Sequence, residues 1–267
     1  MDDVEEKRVF DDRAGKTDLL VAADVGVLAV ETAGDRVGRF GVVHRCDPVD
    51  VASGDGRLAV ATDEDVLLGE NGSEAFEPTG FGPAVAVGFD GDVPVAAAPD
   101  GRVARFEGGG DANDRDREWT DLGQLDAEVR AVDGRLLAAT DGVYRLPGLS
   151  FAGLDDARDV AADGPLAATG SGLYSLGNGW MDELSGAFRV AASDGDRAHA
   201  ATADAFFERV SGEWREVDLP ADGPVVDVAY GEATYVITTD GILLADAGDG
   251  WRSHPLGVEG VVGCAVR

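Results

Sequence analysis

Five charged side chains occupy one position of a short apolar segment that recurs along this 267-residue chain. They are Asp50 in Val49-Asp50-Val51-Ala52, Arg130 in Val129-Arg130-Ala131-Val132, Asp159 in Arg158-Asp159-Val160-Ala161, Arg189 between Phe188 and Val190, and Asp227 in Val226-Asp227-Val228-Ala229. Two further copies, Val85-Ala86-Val87-Gly88 and Val262-Gly263-Cys264-Ala265, carry Ala86 and Gly263 at that place. A charge set into an apolar strand needs a partner, because an ion taken out of water without one costs several kcal/mol. Gathered together, the five could form a polar pocket for a small anion, a sugar or a metal ion. They could equally pair with one another as a ring of ion pairs that orders the structure, and the mixed sign favours pairing. A divalent cation would want carboxylates with no arginine among them. These five are therefore binding candidates, and no residue is assigned a catalytic or metal-ligating role.

Other chemistry-bearing residues read as structural. His199 shares a column with Leu20, Leu137, Leu166 and Val236, which makes it a hydrogen-bonded core residue, while His44 and His254 fall in outer segments. Cys264 shares its column with Val51, Val87, Val160, Val190 and Val228 and behaves as a small apolar residue. The two cysteines, Cys46 and Cys264, are too few for a disulfide framework. The chain has no Gly-x-Ser-x-Gly elbow, phosphate loop, His-Glu-x-x-His or Cys-x-x-Cys, and no cofactor is implied.

The elements that must position the five charges are hairpins. Arg135 to Leu146, RLLAATDGVYRL, is an apolar run, a Thr-Asp-Gly turn and a second alternating run. Asp141 and Gly142 tolerate the positive φ of a tight turn. Near copies recur at Leu19–Val30, Arg57–Leu68, Pro165–Leu176 and Ala233–Leu244, with weaker forms at Asp100-Gly101 and Ala203-Asp204. From Ala23 to Thr239 the turns are spaced by 39, 37, 41, 29, 33 and 37 residues. A β-only repeat of that size, filled by four short strands, is the repeat of a propeller.

Each unit reads as strand a (the charged column), an Asp/Gly turn, strand b, the Thr-Asp-Gly turn, strand c, a loop and strand d. Strand d begins near Trp119, Trp180, Trp214 or Trp251, each placed to pack between sheets. The first unit lacks a strand a, and the C-terminal copy Val262 to Ala265 lacks a hairpin. The expected fold is therefore all-β, a seven-bladed propeller closed by the C-terminal strand pairing into the first blade beside Leu19 to Asp24. Residues 1–17, which hold Lys7, Arg8, Arg13 and Lys16, form a lead-in, and 18–267 a single domain. Pro94 fits a central strand only if it starts one. The polar loop Glu107 to Glu118 is the largest insertion and is expected to be mobile.

Strand a would line the central channel, with ligands at the mouth where d-to-a and b-to-c loops meet. Asp24, Asp63, Asp65, Asp100, Asp141 and Asp240 lie on b-to-c turns at that mouth, where Asp is first a turn residue. The Thr-Asp-Gly hairpins, the tryptophans opening strand d and the closing strand resemble a seven-bladed β-propeller. The chain as a whole is similar to a haloarchaeal family of such propellers, known by fold rather than by an activity. The resemblance departs from WD40 repeats, having no Trp-Asp pair at the end of strand c, and from the Asp-box spacing.

The chain carries 52 acidic against 22 basic residues, a formal charge of -30, and only two lysines. Such a domain repels itself in dilute buffer, and molar salt shortens the Debye length to about 3 Å. The reading is an acidic, halophilic protein of the cytoplasm. Dispersed acids exclude the basic stripe that nucleic acid requires. No apolar run is long enough to span a membrane, and the opening Met-Asp-Asp is not a signal peptide. The expected function is a non-catalytic, monomeric interaction or scaffold protein whose partner is another protein. A small-molecule hydrolase, lactonase or lyase with a site at the channel mouth is the alternative. A third possibility makes the basic lead-in the contact.

Overall fold

The computed structural model describes residues 17–70, 75–107 and 118–267, all of whose regular elements are strands. They form seven four-stranded antiparallel sheets. Blade 1 runs from the centre outward as Gly263–Val266, Thr17–Ala23, Gly26–Ala33 and Arg36–His44, so the last strand of the chain is the innermost strand of the first blade. Leu19 faces Val266 and Ala22 faces Gly263 across that ladder, and Val262 N donates to Ala22 O at 2.9 Å. Blades 2 to 7 each take four consecutive strands, with innermost members Pro48–Gly54, Ala86–Asp90, Val129–Asp133, Ala157–Ala161, Val190–Ser193 and Val225–Tyr230. The ring is closed and seven-bladed, as the repeat requires.

Small apolar residues make this packing possible. The second strands, such as Leu136–Ala139, Leu166–Thr169 and Thr234–Thr238, are buried at every position because both faces meet a neighbouring sheet. Seven apolar clusters result, one at each joint between adjacent blades. The tryptophans seal the outer part of several joints: Trp180 Nε1 of blade 5 donates to Ala152 O of blade 4, and Trp214 Nε1 of blade 6 to Glu183 Oε2 of blade 5.

In blades 2, 5, 6 and 7 a threonine at the end of strand b closes the b-to-c turn. Thr62 Oγ1 accepts from Asp65 N at 2.9 Å, Thr169 Oγ1 from Gly172 N at 3.0 Å and Thr202 Oγ1 from Ala205 N at 3.0 Å. In blade 7 Thr238, not Thr239, does this, accepting from Ile242 N. A buried hydroxyl thereby satisfies a turn amide that no ladder reaches. Pro94 is the second residue of its strand and lies beyond the ladder to Arg102–Glu107, which starts at Val95 opposite Arg105. The basic lead-in residues Lys7, Arg8, Arg13 and Lys16, and the interior of the loop between Glu107 and Glu118, lie outside the described residues.

Candidate functional site

In blades 2, 5 and 7 the pairing of the inner strand with its neighbour slips at the same place. Pro48 faces Thr62 and Asp50 faces Ala61; Ala157 faces Thr169 and Asp159 faces Ala168; Val225 faces Thr238 and Asp227 faces Ile237. The skipped residue is a β-bulge, which re-aims the side chain that follows it. That side chain is the aspartate in all three blades. Its Oδ1 accepts from the next amide of its own strand, Val51 N, Val160 N or Val228 N, at 2.7 to 2.8 Å. Its Oδ2 accepts from the inner strand of the following blade: Val87 N at 2.9 Å, Ala191 N at 2.9 Å and Cys264 N at 2.8 Å. The aspartates thus stitch blade 2 to 3, 5 to 6 and 7 to 1. Gly263 leaves room for two of them, since a Cβ there would lie 3.2 Å from Asp227 Oδ2 and 4.0 Å from Asp50 Oδ1.

These carboxylates border an axial cavity of about 430 Å³ on their a-to-b side, which Asp133, Asp163 and Asp194 also line. Among the described residues no arginine or lysine lines it. Each of the three aspartates is partly exposed, but to the channel interior rather than to bulk solvent, so desolvation still disfavours charge. Burial first, opposed by the amide bonds and reinforced by Asp227, pushes Asp50 up to about 7. Burial likewise carries Asp227 to about 6, with Asp133 adding repulsion, and Asp159 well above the usual carboxylate range. No group of three His, Cys, Asp or Glu residues among the described residues is arranged to hold a metal ion.

Arg130 and Arg189 are not in this ring. In blade 4 Val129 faces Ala139 and Ala131 faces Ala138, so Arg130 is the bulged residue and its counterpart is Arg158, one place before Asp159. Arg189 N donates to Ala201 O just ahead of the Val190–Ala201 pair, which gives Arg189 the same place in blade 6. Blades 4, 5 and 6 therefore present arginine at the d-to-a end of the inner strand, while Val49, Val85, Val226 and Val262 occupy that place in the others. Arg130 reaches Asp156 at 2.7 Å and Ala157 O at 3.1 Å, and Arg158 holds the other oxygen of Asp156 at 3.1 Å. The Arg130 hydrogen bond, and then Arg158, hold the Asp156 carboxyl below its ordinary range. Arg189 is exposed, with no ion-pair partner among the described residues. Val49 and Val262 are 40% and 37% exposed. The inner-strand ends at this mouth thus carry three arginines and four valines, bordered by the aspartates of the b-to-c turns.

The channel residues Asp133, Asp163, Asp194 and Tyr230 were not anticipated as a group, because the Asp-Gly pairs at the ends of the inner strands of blades 4, 5 and 6 carry ordinary turn chemistry. Asp133 accepts from Ala162 N of the next blade at 2.7 Å, and burial raises it. Asp194 is held by Arg197 at 2.7 Å. Arg197 also lies over the Tyr230 ring, 4.8 Å from its centre. His199, 2% exposed, places Nδ1 2.9 Å from the Tyr230 hydroxyl, and burial pushes it down to about 4. It is a core residue, as its column indicates.

The profile of the HVO_0234-like beta propeller family matches residues 3–267. No curated protein matches the chain. Among solved structures, YCF48 bound to D1 peptide is similar at 14% identity and a TM-score of 0.57, over 78% of this chain and 82% of that one. YCF48 from Cyanidioschyzon merolae is similar at 15% identity and a TM-score of 0.55, over 80% of this chain and 86% of that one.

Proposed function

This chain belongs to the HVO_0234-like beta propeller family, and from that premise we propose that it is a non-catalytic interaction protein which receives a protein partner on the d-to-a mouth. One observation carries the reading. The three channel aspartates spend both oxygens on backbone amides, one within the strand and one across a blade joint, whereas Arg130 and Arg158 share the carboxylate of Asp156 and Arg189 has no ion-pair partner among the described residues. The channel charges hold the ring together, while Arg189 stands exposed beside valines at a mouth that the b-to-c aspartates also border, on a chain of charge -30. Mixed basic and apolar surface is the kind that protein partners use. A YCF48 propeller with a peptide bound is a protein of the same fold taking that kind of ligand. In this reading the protein works as a monomer in a salt-rich cytoplasm, where the acidic surface keeps it dispersed.

The test is affinity capture from a halophile extract at molar salt, comparing the natural chain with an Arg158→Glu/Arg189→Glu variant. The same protein recovered by the natural chain and lost by the variant, at an unchanged melting temperature, supports the mouth as the contact. Equal recovery by both sinks it.

One observation favours a second reading, a hydrolase, lactonase or lyase: carboxyl groups raised into the neutral range converge on a cavity. Turnover of any ester or lactone lost on Asp50→Asn, in a protein that still folds, would select it over the first.

A further inference from the structure

A sheet at the rim of a propeller ends in a strand with one unpaired edge, and such edges are normally shortened, charged with repulsive residues or interrupted by proline. Six of the seven outer strands here follow that practice. Phe76–Pro78 and Arg252–Pro255 end in proline; Glu118–Gln124, Trp180–Ser185 and Glu213–Val217 each carry two acids; Ser150–Gly153 has four residues. Blade 1 is guarded differently. Its outer strand Arg36–His44, RVGRFGVVH, has nine residues, more than any other among the described residues, and neither acid nor proline; its charges are Arg36 and Arg39, and two bulges interrupt its ladder to Gly26–Ala33, leaving Phe40 to Val42 in continuous register.

The edge is exposed, basic and fixed in place. Phe40 and Val42 are 46% and 41% exposed, and being two apart on a strand they project to one face. Arg36 and the flanking Arg45 are exposed with no carboxylate partner among the described residues, and Arg39 makes only a surface pair with Glu31. Val37 is packed into the joint between blades 7 and 1, and Val43 into the joint between blades 1 and 2. The turn leading into the strand is tied to blade 7: the Tyr235 hydroxyl donates to Gly34 O at 3.1 Å, and Asp35 is bonded by His254 and Arg252.

We propose that the free edge of Arg36–His44 is a strand-addition site, taking an extended segment of a partner protein in which acidic and apolar residues alternate. Main-chain hydrogen bonds would supply the attachment, and side-chain pairs the selectivity. The occupant is not a second copy through the same edge, because antiparallel self-pairing with Phe40 opposite Gly41 sets Arg36 opposite Arg45 of the other strand, and like charges opposite one another destabilise a ladder. Molar salt removes the long-range repulsion between an acidic segment and the acidic body, so the local pairs decide.

The probe is a short end-blocked peptide of alternating glutamate and valine, read by fluorescence anisotropy and by amide hydrogen exchange on the full chain. The expected result is binding with exchange protection confined to residues 36–44. Arg36→Glu/Arg39→Glu should weaken it by about tenfold, the scale of two cross-strand charge pairs reversed. Met181→Glu, on the outer strand of blade 5, should change nothing. The same peptide N-methylated at alternate residues keeps its charges but cannot form the ladder, and should not bind. Undiminished binding of the methylated peptide, protection elsewhere, or dimerisation of the protein abolished by Arg36→Glu/Arg39→Glu would each overturn the proposal.

Discussion

The joint between blades 7 and 1 and the joint between blades 4 and 5 do the same geometric task with apolar clusters of unequal size. At the first, fifteen buried apolar residues form the largest cluster among the described residues, with Tyr235 and with Cys264 of the closing strand in it. At the second the cluster has six, beside the bonds of Arg130 to Asp156 and Ala157 O, Asp133 to Ala162 N, and Trp180 to Ala152 O; the first is bonded as well, through Tyr235 to Thr32 and Gly34 O, His254 and Arg252 to Asp35, and Cys264 N to Asp227. Chain connectivity explains the asymmetry. Blades 4 and 5 are covalent neighbours, whereas the Tyr235–Thr32 bond across the closure joins residues 203 apart. Loop-closure entropy grows by about 0.6 kcal/mol for each doubling of the loop, so a closure of that length costs roughly 2 kcal/mol more than a joint within one repeat. The larger cluster offsets that difference, and the ring teaches that equivalent interfaces in a repeat fold are not equally loaded.

The severest way to break the comparison is to remove residues 263–267. Blade 1 then loses its inner strand, and Asp227 loses its amide partner on Cys264. Loss of a cooperative thermal transition is expected in circular dichroism at molar salt; a truncated chain melting within a few degrees of the parent would show that closure carries little weight. Next comes a pair of truncations measured by urea unfolding at fixed salt. Tyr235→Ala, at a fully buried site whose hydroxyl is bonded to Thr32 and Gly34 O, should cost about 3 to 5 kcal/mol. Leu136→Ala in the smaller cluster, 5% exposed, should cost about 2 to 3 kcal/mol, near the low end for buried leucine. Equal losses would mean that cluster size does not measure the load on a joint. Smaller still is Arg130→Ala, which removes a bond to a carbonyl and one of two cations on Asp156. About 1 kcal/mol is expected. A larger loss than at Leu136 would make the polar bonds, rather than the apolar cluster, the main fastening of blades 4 and 5.

The closure and the blade count were legible in the sequence because they follow from periodicity: the hairpin recurs and the orphan strand at Val262 to Ala265 has one vacant place to fill; the turn chemistry was legible in part, since the capping threonine is Thr238 rather than Thr239 in blade 7. The candidate site was legible only in part. Asp50, Asp159 and Asp227 align because the same bulge precedes each, but a bulge adds a residue without leaving a sequence mark. Alignment by apolar pattern therefore placed Arg130 and Arg189 one position late, in the aspartate column. The error also hid the arginine column, since Arg158 was read only as the residue before Asp159. The paired acids themselves hold the blades through amide bonds rather than ion pairs, a choice invisible without knowing which backbone N–H of the next blade comes within reach. The contrast between blade edges was visible as strings of residues, but its meaning waited on knowing which strands lie outermost.

The finest difference between the joints is in how they respond to pH. Asp227, at the closure, has its carboxyl raised to about 6, and Asp50, between blades 2 and 3, to about 7, in both cases first by burial; the joint between blades 4 and 5 has Asp133 raised by burial and Asp156 lowered by arginine. For a raised carboxyl the folded chain holds a proton that the unfolded chain has already released. Stability therefore falls as pH rises from the ordinary carboxylate range near 4 toward about 6 or 7, and is level above that. Asp156 has the opposite sign, its contribution appearing as pH rises through the acid range. General repulsion among 52 acidic residues also grows with pH, but molar salt screens it, whereas desolvation of a channel carboxylate is not screened. At molar salt, Asp227→Asn should flatten the decline in unfolding free energy between pH 4 and about 6, while removing the acceptor for one backbone amide. Arg130→Ala should leave that decline unchanged. A decline that persists when Asp50→Asn, Asp159→Asn and Asp227→Asn are combined in one folded chain would place the titrating groups outside this ring of three.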